Sequence, residues 1–256
     1  MKVAILQYTV HLGDIEKNLA LFSQRIADLE EKADVVLLPE MFTTGFIPDE
    51  KLTEPTDGKT IQTLQALANK HSLAITGSFM CKDNGKFYNR GFFIQPNQAP
   101  EFVDKHHLYR QGGEADFFTP GNKRGVFEYK GVKFLLIICY DLRFPVWNRN
   151  KTGHDYDIIL VTANWPQMRI EYWDVLVQAR ALENQSLVCA VNIVGEDIVG
   201  LHYNGHSVAY NSHLAPIVKF EDNEEGTKIA ELNVDKLHHF REVLPLWKDA
   251  DPFALE

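Results

Sequence analysis

The pattern of apolar and polar positions divides the chain into short apolar runs and amphipathic segments. Met1–Gln7 and Asp34–Glu40 read as buried strands, and Asp14–Lys32 between them carries apolar residues at helical spacing. Val132–Ile138 and Asp157–Thr162 repeat the two strand patterns later in the chain. Continuous apolar strands separated by helices are typical of sheets covered by helices. The pattern therefore predicts an α/β fold with two related halves, each contributing one sheet.

The remaining segments continue this alternation of helices and strands. Further helices are predicted at Gly58–His71, from about Pro145, and at Ile170–Gln185. Further strands are predicted at Leu73–Met80, Phe87–Ile94, Ser186–Val194, Ala209–Phe220 and Thr227–Asn233. The stretch Tyr203–Ser207 is predicted to be a loop, and the segment from Leu237 an extended tail packed on the rest of the protein.

Length and charge narrow the class of protein. With 256 residues, 45% of them hydrophobic, the chain can bury a large core, and one domain over residues 1–256 is expected, with roughly 237–256 as its packed tail. The net charge is −9, and the sequence contains no cluster of lysine or arginine residues. Both features argue against a nucleic acid or an anionic membrane surface as partner. We expect no signal peptide and no membrane span.

The three cysteines indicate a reducing compartment. Cys81, Cys139 and Cys189 lie far apart, and none belongs to a CxxC pair. An odd, unclustered set is more typical of free thiols than of a disulfide framework or a zinc site. We therefore expect a cytoplasmic protein without a structural metal.

Cys139 is the candidate nucleophile. It ends the apolar run Lys133–Ile138 and is followed at once by Tyr140, Asp141 and a turn-forming stretch that includes Pro145. In α/β folds, ligands and chemistry occur at the carboxyl ends of such strands. A free cysteine is usually a small buried apolar residue, which is how we interpret Cys81 and Cys189, but the polar residues after Cys139 set it apart.

Glu40 and Lys105 are the candidate partners of this thiol. A thiol attacks carbon as the thiolate, so it needs a base, and a buried carboxylate can serve. Glu40 leaves a buried strand and enters the aromatic loop Met41–Phe46, although an exposed loop glutamate is the alternative. Lys105 could stabilise an oxyanion together with the main-chain N–H of Tyr140, although most lysines in such mixed stretches are solvated.

Motifs around these residues resemble the nitrilase superfamily of carbon–nitrogen hydrolases. They are LPEMFTTGF around Glu40, DKHHL around Lys105 and CYDLRFP around Cys139, in that order along the chain. The likeness continues through Asn164-Trp165-Pro166, through QARALENQ at Gln178–Gln185 and through Gly205-His206-Ser207. In combination these motifs are highly specific for the family.

The resemblance implies more than the local sequence does. It implies a four-layer αββα sandwich, a Glu-Lys-Cys triad of Glu40, Lys105 and Cys139, and Glu114 as a second carboxylate near Lys105. It also implies a homodimer, a small-molecule amide as substrate, and catalysis without a metal or an organic cofactor. Without the family context, Glu114 would be read as a solvated loop acid after two glycines.

Within the superfamily the chain looks most like the bacterial omega-amidase branch. Such enzymes release ammonia from the terminal amide of 2-oxoglutaramate, and related members act on succinamate. The far end of such a substrate carries a carboxylate, so we expect a cation in the pocket. Arg143 is the first candidate because guanidinium binds carboxylate as a fork, unless it pairs with Asp141 or a carbonyl; Arg169 is the second. Trp165 and Phe42 are candidate apolar walls, or plain core.

Three other readings stay open at this point. The chain could be an aliphatic amidase, an N-carbamoyl hydrolase or a true nitrilase of the same family. It could be a thiol enzyme with a histidine base, for which no local signature exists, or a non-catalytic dicarboxylate-binding protein on the same fold. The adjacent pairs His106-His107 and His238-His239 have poor spacing for metal ligands on a strand or a helix.

Overall fold

The computed structural model describes residues 1–29, 32–151 and 155–254. Its strands are β1 Lys2–Gln7, β2 Val35–Leu37, β3 Ala74–Asp83, β4 Lys86–Ile94, β5 Glu101–Asp104, β6 Gly125–Tyr129, β7 Val132–Ile138, β8 Ile158–Thr162, β9 Leu187–Val191, β10 Val194–Glu196, β11 His202–Asn204, β12 Val208–Tyr210, β13 Pro216–Lys219 and β14 Gly226–Glu231. Its α-helices are α1 Ile15–Ala27, α2 Lys59–His71, α3 Glu114–Phe117, α4 Pro145–Asn148, α5 Ile170–Glu183 and α6 Val234–Val243.

Twelve of the described strands form two six-stranded sheets that share one topology, and β10 and β11 form a separate two-stranded sheet. The first has the order β14-β1-β2-β3-β4-β5 and the second β13-β12-β9-β8-β7-β6. In the first sheet β1, β2 and β3 run parallel, and β4 and β5 then return antiparallel. In the second, β7, β8 and β9 run parallel and are followed by antiparallel β12 and β13. The two halves suggested by the repeated strand patterns thus each build most of one sheet.

The sheets stack face to face with helices outside, which confirms the predicted four-layer αββα sandwich. One apolar cluster lies between the sheets and includes Ile5, Phe93 and Leu136. A second lies between the first sheet and helices α1 and α2, which contribute Leu19, Phe22, Ile26, Ile61, Leu64 and Ala68. A third lies between the second sheet and α5, which contributes Trp173, Val177 and Ala181.

The sheets approach closely beneath the site described below. A Cβ at Gly91 of β4 would lie 2.8 Å from Leu136 Cδ2 and 3.0 Å from Ile138 Cδ1 of β7. A side chain at this position would therefore push the sheets apart. A hydrogen bond also joins the sheets at the same edge, where Thr162 Oγ1 donates to the Leu38 carbonyl at 2.8 Å.

The predicted extended tail is wrong for residues 237–243. They belong to helix α6, which Asn233 caps by accepting a hydrogen bond from Lys236 N at 2.8 Å. Leu237 and Arg241, four residues apart, form its buried face. Residues 255 and 256 of the predicted tail lie outside the described residues.

Other boundaries also differ from the sequence prediction. The helix predicted over Asp14–Lys32 ends at Ala27, and residues 30 and 31 of that span lie outside the described residues. The loop predicted at Tyr203–Ser207 begins with strand β11, and Ala209–Phe220 is a hairpin of two strands instead of one. In the described part of the chain, no helix has the length and apolar character to cross a bilayer.

Candidate active site

The strand ends of both sheets bring Glu40, Lys105 and Cys139 to one edge of the sandwich. Glu40 follows β2, Lys105 follows β5, and Cys139 follows β7 directly. Strand β2 runs parallel to β3, and β4 runs antiparallel to both β3 and β5. Strands β2 and β5 therefore point in the same direction. The carboxyl ends of these strands therefore meet at a single edge, as α/β folds commonly arrange their sites.

A fully buried ion cluster lies at this edge. Lys105 Nζ donates to Glu40 Oε1 at 2.9 Å and to both carboxylate oxygens of Glu114 at 2.8 Å. All three side chains are at most 1% exposed. Burial by itself would lower the pKa of Lys105, but the charges of Glu114 and Glu40 outweigh it and hold that pKa well above its usual value. Lys105 is thus a permanent cation in a dry site.

Glu114 reaches the cluster through a tight turn. Gly113 adopts a left-handed conformation with φ 78°, from which the short helix α3 begins at Glu114. The carboxylate accepts a hydrogen bond from Tyr109 N at 2.6 Å in addition to the bonds from Lys105. Burial raises the pKa of Glu114, Lys105 opposes that rise, and the nearby charge of Glu40 adds to it.

Glu40 is fixed by donors from both sheets. Its Oε1 accepts from Lys105 and from Asn89 Nδ2 at 2.8 Å, and its Oε2 accepts from Asn164 N at 2.9 Å. Asn164 Nδ2 also donates to the Glu40 carbonyl at 3.1 Å. An exposed loop glutamate, the alternative open from sequence, is thereby ruled out, since Glu40 is 0% exposed.

Cys139 sits on a sharp turn with its thiol beside this cluster. Its φ of 44° lies in the left-handed region, which non-glycine residues seldom occupy and which is common at functional sites. Burial raises the pKa of the Cys139 thiol well above its usual value, and the charge of Glu40 adds to that rise while Lys105 opposes it. Sγ contacts the Asn164 carbonyl at 3.9 Å. Burial and the charge of Glu40 thus favour the thiol form of Cys139 over the thiolate.

Asp141 ties the turn of Cys139 to the segment after Lys105. Its Oδ1 accepts from His107 N at 2.8 Å and contacts His107 Nδ1 at 2.7 Å, and its Oδ2 accepts from His106 N at 3.4 Å. Tyr140 lies between Asp141 and Cys139, in the first turn of the 3₁₀-helix Cys139–Arg143. Main-chain N–H groups in the first turn of a helix have no partner within the helix. The N–H group of Tyr140 is therefore able to donate a hydrogen bond to an oxyanion.

A cavity of about 370 Å³ opens onto the thiol. The predicted residues Arg143, Trp165 and Arg169 line it together with Lys105, Cys139 and Tyr140. The Arg143 guanidinium lies over the ring of Trp165, 4.7 Å from its centroid, and 5.4 Å from that of Tyr172. Among the described residues Arg143 forms no ion pair, and Asp141, its alternative partner, is bonded to His107 instead. The cavity thus presents an available guanidinium.

Phe42 is not part of this cavity, so its prediction as a pocket wall is wrong. The ring is fully buried behind the site, with edge contacts to Phe22 at 5.3 Å and Phe92 at 6.1 Å between ring centroids. Glu40 and Phe42 follow the same strand, but the turn at Met41, with φ 44°, sends the Phe42 side chain into the core under α1. Phe46 of the same loop lines the cavity in its place.

Sequence reasoning missed three residues of the site. Asn89 and Asn164 hold Glu40, and Tyr203 lines the cavity with its hydroxyl bonded to Asp197 Oδ2 at 3.0 Å. The available signal for Asn89 was an amide within an otherwise largely apolar strand, β4. Within the described residues no group of three or more His, Cys, Asp or Glu side chains is arranged to hold a metal ion.

Known proteins of one enzyme family resemble this chain over nearly its whole length. The family model described as carbon–nitrogen hydrolase matches residues 2–242. The omega-amidase YafV of Escherichia coli (strain K12) is 37% identical over 256 residues, covering 100% of this chain and 98% of that protein. The 2-oxoglutaramate amidase of Bacillus subtilis (strain 168) is 32% identical, covering 96% of each chain.

Solved structures give the same result. A carbon–nitrogen hydrolase superfamily protein from Xanthomonas campestris, XC1258, with an arsenic adduct in its active site, is 33% identical, with a TM-score of 0.96 over 100% of this chain and 99% of that one. Nit3 of Saccharomyces cerevisiae, a nitrilase superfamily member, shares the fold at 24% identity with a TM-score of 0.83, over 96% of this chain and 94% of its own. From its sequence and its fold, this chain belongs to the carbon–nitrogen hydrolase family.

Proposed function

We propose that this chain is an omega-amidase, acting as a single catalytic domain on the terminal amide of 2-oxoglutaramate or a similar omega-amido dicarboxylate such as succinamate. The observation that carries the proposal is the buried Lys105 ammonium between Glu40 and Glu114, beside a thiol that faces a cavity with an available guanidinium. The amidase relatives of 32–37% identity support it, because they cover nearly the whole chain.

Acylation begins with the transfer of the Cys139 thiol proton to Glu40 as sulfur attacks the amide carbon. Because burial disfavours the thiolate, a base acts in the same step as the attack. The oxyanion is stabilised by the Lys105 ammonium and the main-chain N–H of Tyr140. Glu40 then gives its proton to the nitrogen, the C–N bond breaks, and ammonia leaves a thioester on Cys139.

Deacylation uses the same groups on water. Glu40 takes a proton from the water as its oxygen attacks the thioester carbon, and the same two donors stabilise the second oxyanion. The C–S bond then breaks, sulfur regains the proton from Glu40, and the dicarboxylate is released. Glu114 keeps the Lys105 ammonium in place through both steps. The scheme needs no metal and no organic cofactor.

Arg143 is proposed to bind the substrate carboxylate. Its guanidinium lies over the rings of Trp165 and Tyr172, so it is held in place while its N–H groups remain available to a ligand. Arg169 lines the same cavity, but its guanidinium lies over Tyr109, 5.4 Å from the ring centroid. Arg143 follows the nucleophile by four residues, which makes it the better placed of the two.

The first prediction concerns ammonia release. We expect the wild-type protein to release ammonia from 2-oxoglutaramate and Cys139→Ala to release none, because the variant cannot form the thioester. The assay measures ammonia from purified proteins, with the folded state of both checked by circular dichroism. The wild-type protein could instead be inactive on 2-oxoglutaramate and succinamate but active on an aliphatic amide, a carbamoyl compound or a nitrile. That result would assign it another substrate within the family.

A second prediction follows from the raised pKa of the Cys139 thiol. In the free enzyme the thiolate fraction is small at neutral pH and grows with pH, so alkylation of Cys139 by iodoacetamide should accelerate steadily from pH 7 to pH 10. Mass spectrometry locates the label, with Cys139→Ala as control. A rate that levels off below pH 8 would show that the resting sulfur is already a thiolate.

A third prediction tests the carboxylate site. Arg143→Met should raise KM for 2-oxoglutaramate about 10- to 100-fold, the range for one hydrogen bond between charged groups, and Arg143→Lys should raise it less. Hydrolysis of a neutral amide such as propionamide serves as the control, since it has no carboxylate to lose. An equal rise in KM for 2-oxoglutaramate and for the neutral amide would contradict this role for Arg143.

We also propose that the chain forms a homodimer through α5. Tyr172, Val175 and Leu182 lie on one side of this helix and are 56%, 65% and 49% exposed, while its opposite side packs on the second sheet. An exposed apolar stripe of this kind is typical of an interface. Sedimentation should give a dimer for wild type and a monomer for Val175→Asp. The control variant Val126→Asp, which changes an exposed residue of β6, should remain a dimer. A wild-type protein that sediments as a monomer would contradict the proposal.

A further inference from the structure

Asn89 occupies the point where the core between the sheets becomes polar. It lies in β4, where alternate residues Asn89, Gly91 and Phe93 share one face. That face is directed at the second sheet, since Gly91 packs against β7 and Phe93 belongs to the apolar cluster between the sheets. Asn89 is 0% exposed, and its amide nitrogen has its partners inside the protein.

The side-chain amide of Asn89 contacts both carboxylates of the buried cluster. Its Nδ2 donates to Glu40 Oε1 at 2.8 Å and to Glu114 Oε1 at 3.3 Å. Its carbonyl oxygen in the main chain accepts from Lys105 N at 3.0 Å. One residue therefore holds both carboxylates and the backbone of the lysine between them.

These contacts make the two oxygens of Glu40 unequal. A carboxylate oxygen has two lone pairs for hydrogen bonds. Oε1 uses both, because it accepts from Asn89 Nδ2 and from Lys105 Nζ. Oε2 accepts one bond from the described residues, from Asn164 N at 2.9 Å. Asn164 also contacts Cys139 Sγ through its main-chain carbonyl. Of the two Glu40 oxygens, Oε2 is therefore the one whose hydrogen-bond donor also contacts the thiol.

We propose that Asn89 is a positioning residue that makes Glu40 Oε2 the proton-accepting atom of the reaction. This rests on the proposed function, in which Glu40 is the base. As the S–H bond of Cys139 breaks and the S–C bond forms, the proton binds to the free lone pair of Oε2. As the C–N bond breaks, the same proton moves from Oε2 to the departing nitrogen, so Glu40 ends the step as a carboxylate.

The role requires an amide and not merely a side chain of that size. Leucine matches asparagine in shape but donates no hydrogen bond, so Asn89→Leu would leave Oε1 with a lone pair that competes for the proton. Aspartate also matches the shape, but it would add a third carboxylate next to Glu40 and Glu114 with a single ammonium, that of Lys105, among them. Both variants should therefore impair the base, and Asn89→Asp more severely.

The test measures kcat and KM for ammonia release from 2-oxoglutaramate between pH 5 and pH 9, per site titrated with iodoacetamide. Asn89→Leu should lower kcat about 10- to 100-fold, as expected for one hydrogen bond to a charged group, and leave KM within about twofold. The acidic limb of its pH–rate profile should move to higher pH, because a carboxylate that loses a donor is protonated more readily.

Thr76→Val is the matched control. Thr76 is also 0% exposed in the first sheet, and its hydroxyl donates to the Phe92 carbonyl at 2.8 Å away from the ion cluster. We expect Thr76→Val to lower the thermal stability of the protein. The acidic limb of its pH–rate profile and its kcat per titrated site should stay as in the wild type. Thermal unfolding of all variants separates a loss of stability from a change in the base.

Three outcomes overturn the inference. If wild type is active and Asn89→Leu keeps the wild-type kcat and acidic limb, Asn89 does not position the base, and the proposed function stands without it. If Asn89→Leu behaves as Thr76→Val does, its role is structural only. A wild type that releases no ammonia from any amide removes both this inference and the proposed function.

Discussion

The buried ammonium of Lys105 is the interaction on which the site depends. A lone cation in a dry interior is very costly, and removing one partner from a buried ion pair costs about 3–5 kcal/mol. Here the charge is compensated by Glu40 and Glu114, which reach it from segments 65 and 9 residues away along the chain. The ion cluster is stable only when the strand ends of the first sheet and helix α3 are all in place. The folded state therefore assembles the site as a whole.

The second sheet completes what the first begins. The first sheet and the segments after it supply the ion cluster, while Cys139, the candidate nucleophile, follows β7 in the second. Close contact between the sheets at Gly91 and hydrogen bonds from Thr162 and Asn164 to the segment after β2 fix their separation at this edge. The sandwich thus does more than enclose a core, since its spacing sets the position of the thiol relative to the carboxylates.

The site places a permanent charge beside the Cys139 thiol. Burial surrounds the ion cluster and also disfavours the thiolate, which raises the pKa of the thiol. This explains why a carboxylate adjoins both the lysine and the thiol, and why its hydrogen bonds matter. The left-handed backbone at Cys139 turns the chain so that Tyr140 follows in a first helical turn with its N–H unpaired by the helix.

Much of this could be predicted from sequence because it is local. Apolar runs and helical periodicity located most elements, Cys139 was marked by polar residues at the end of a strand, and the motifs around Glu40, Lys105 and Cys139 indicated the family and the four-layer sandwich. Helix α6 was missed because its buried face rests on two positions, Leu237 and Arg241, within a polar segment.

What only the tertiary structure decided depends on contacts between segments distant in sequence. Phe42 and Phe46 follow the same strand, yet the turn at Met41 sends one into the core and the other to the cavity. Asn89 stands out locally only as an amide within β4, and its role depends on Glu40 and Glu114, which lie 49 and 25 residues away. The sequence by itself determined the family and the candidate side chains for the chemistry. The packing of the two sheets determined which atoms of those side chains meet, because hydrogen bonds across a buried interface depend on distances that no single segment encodes.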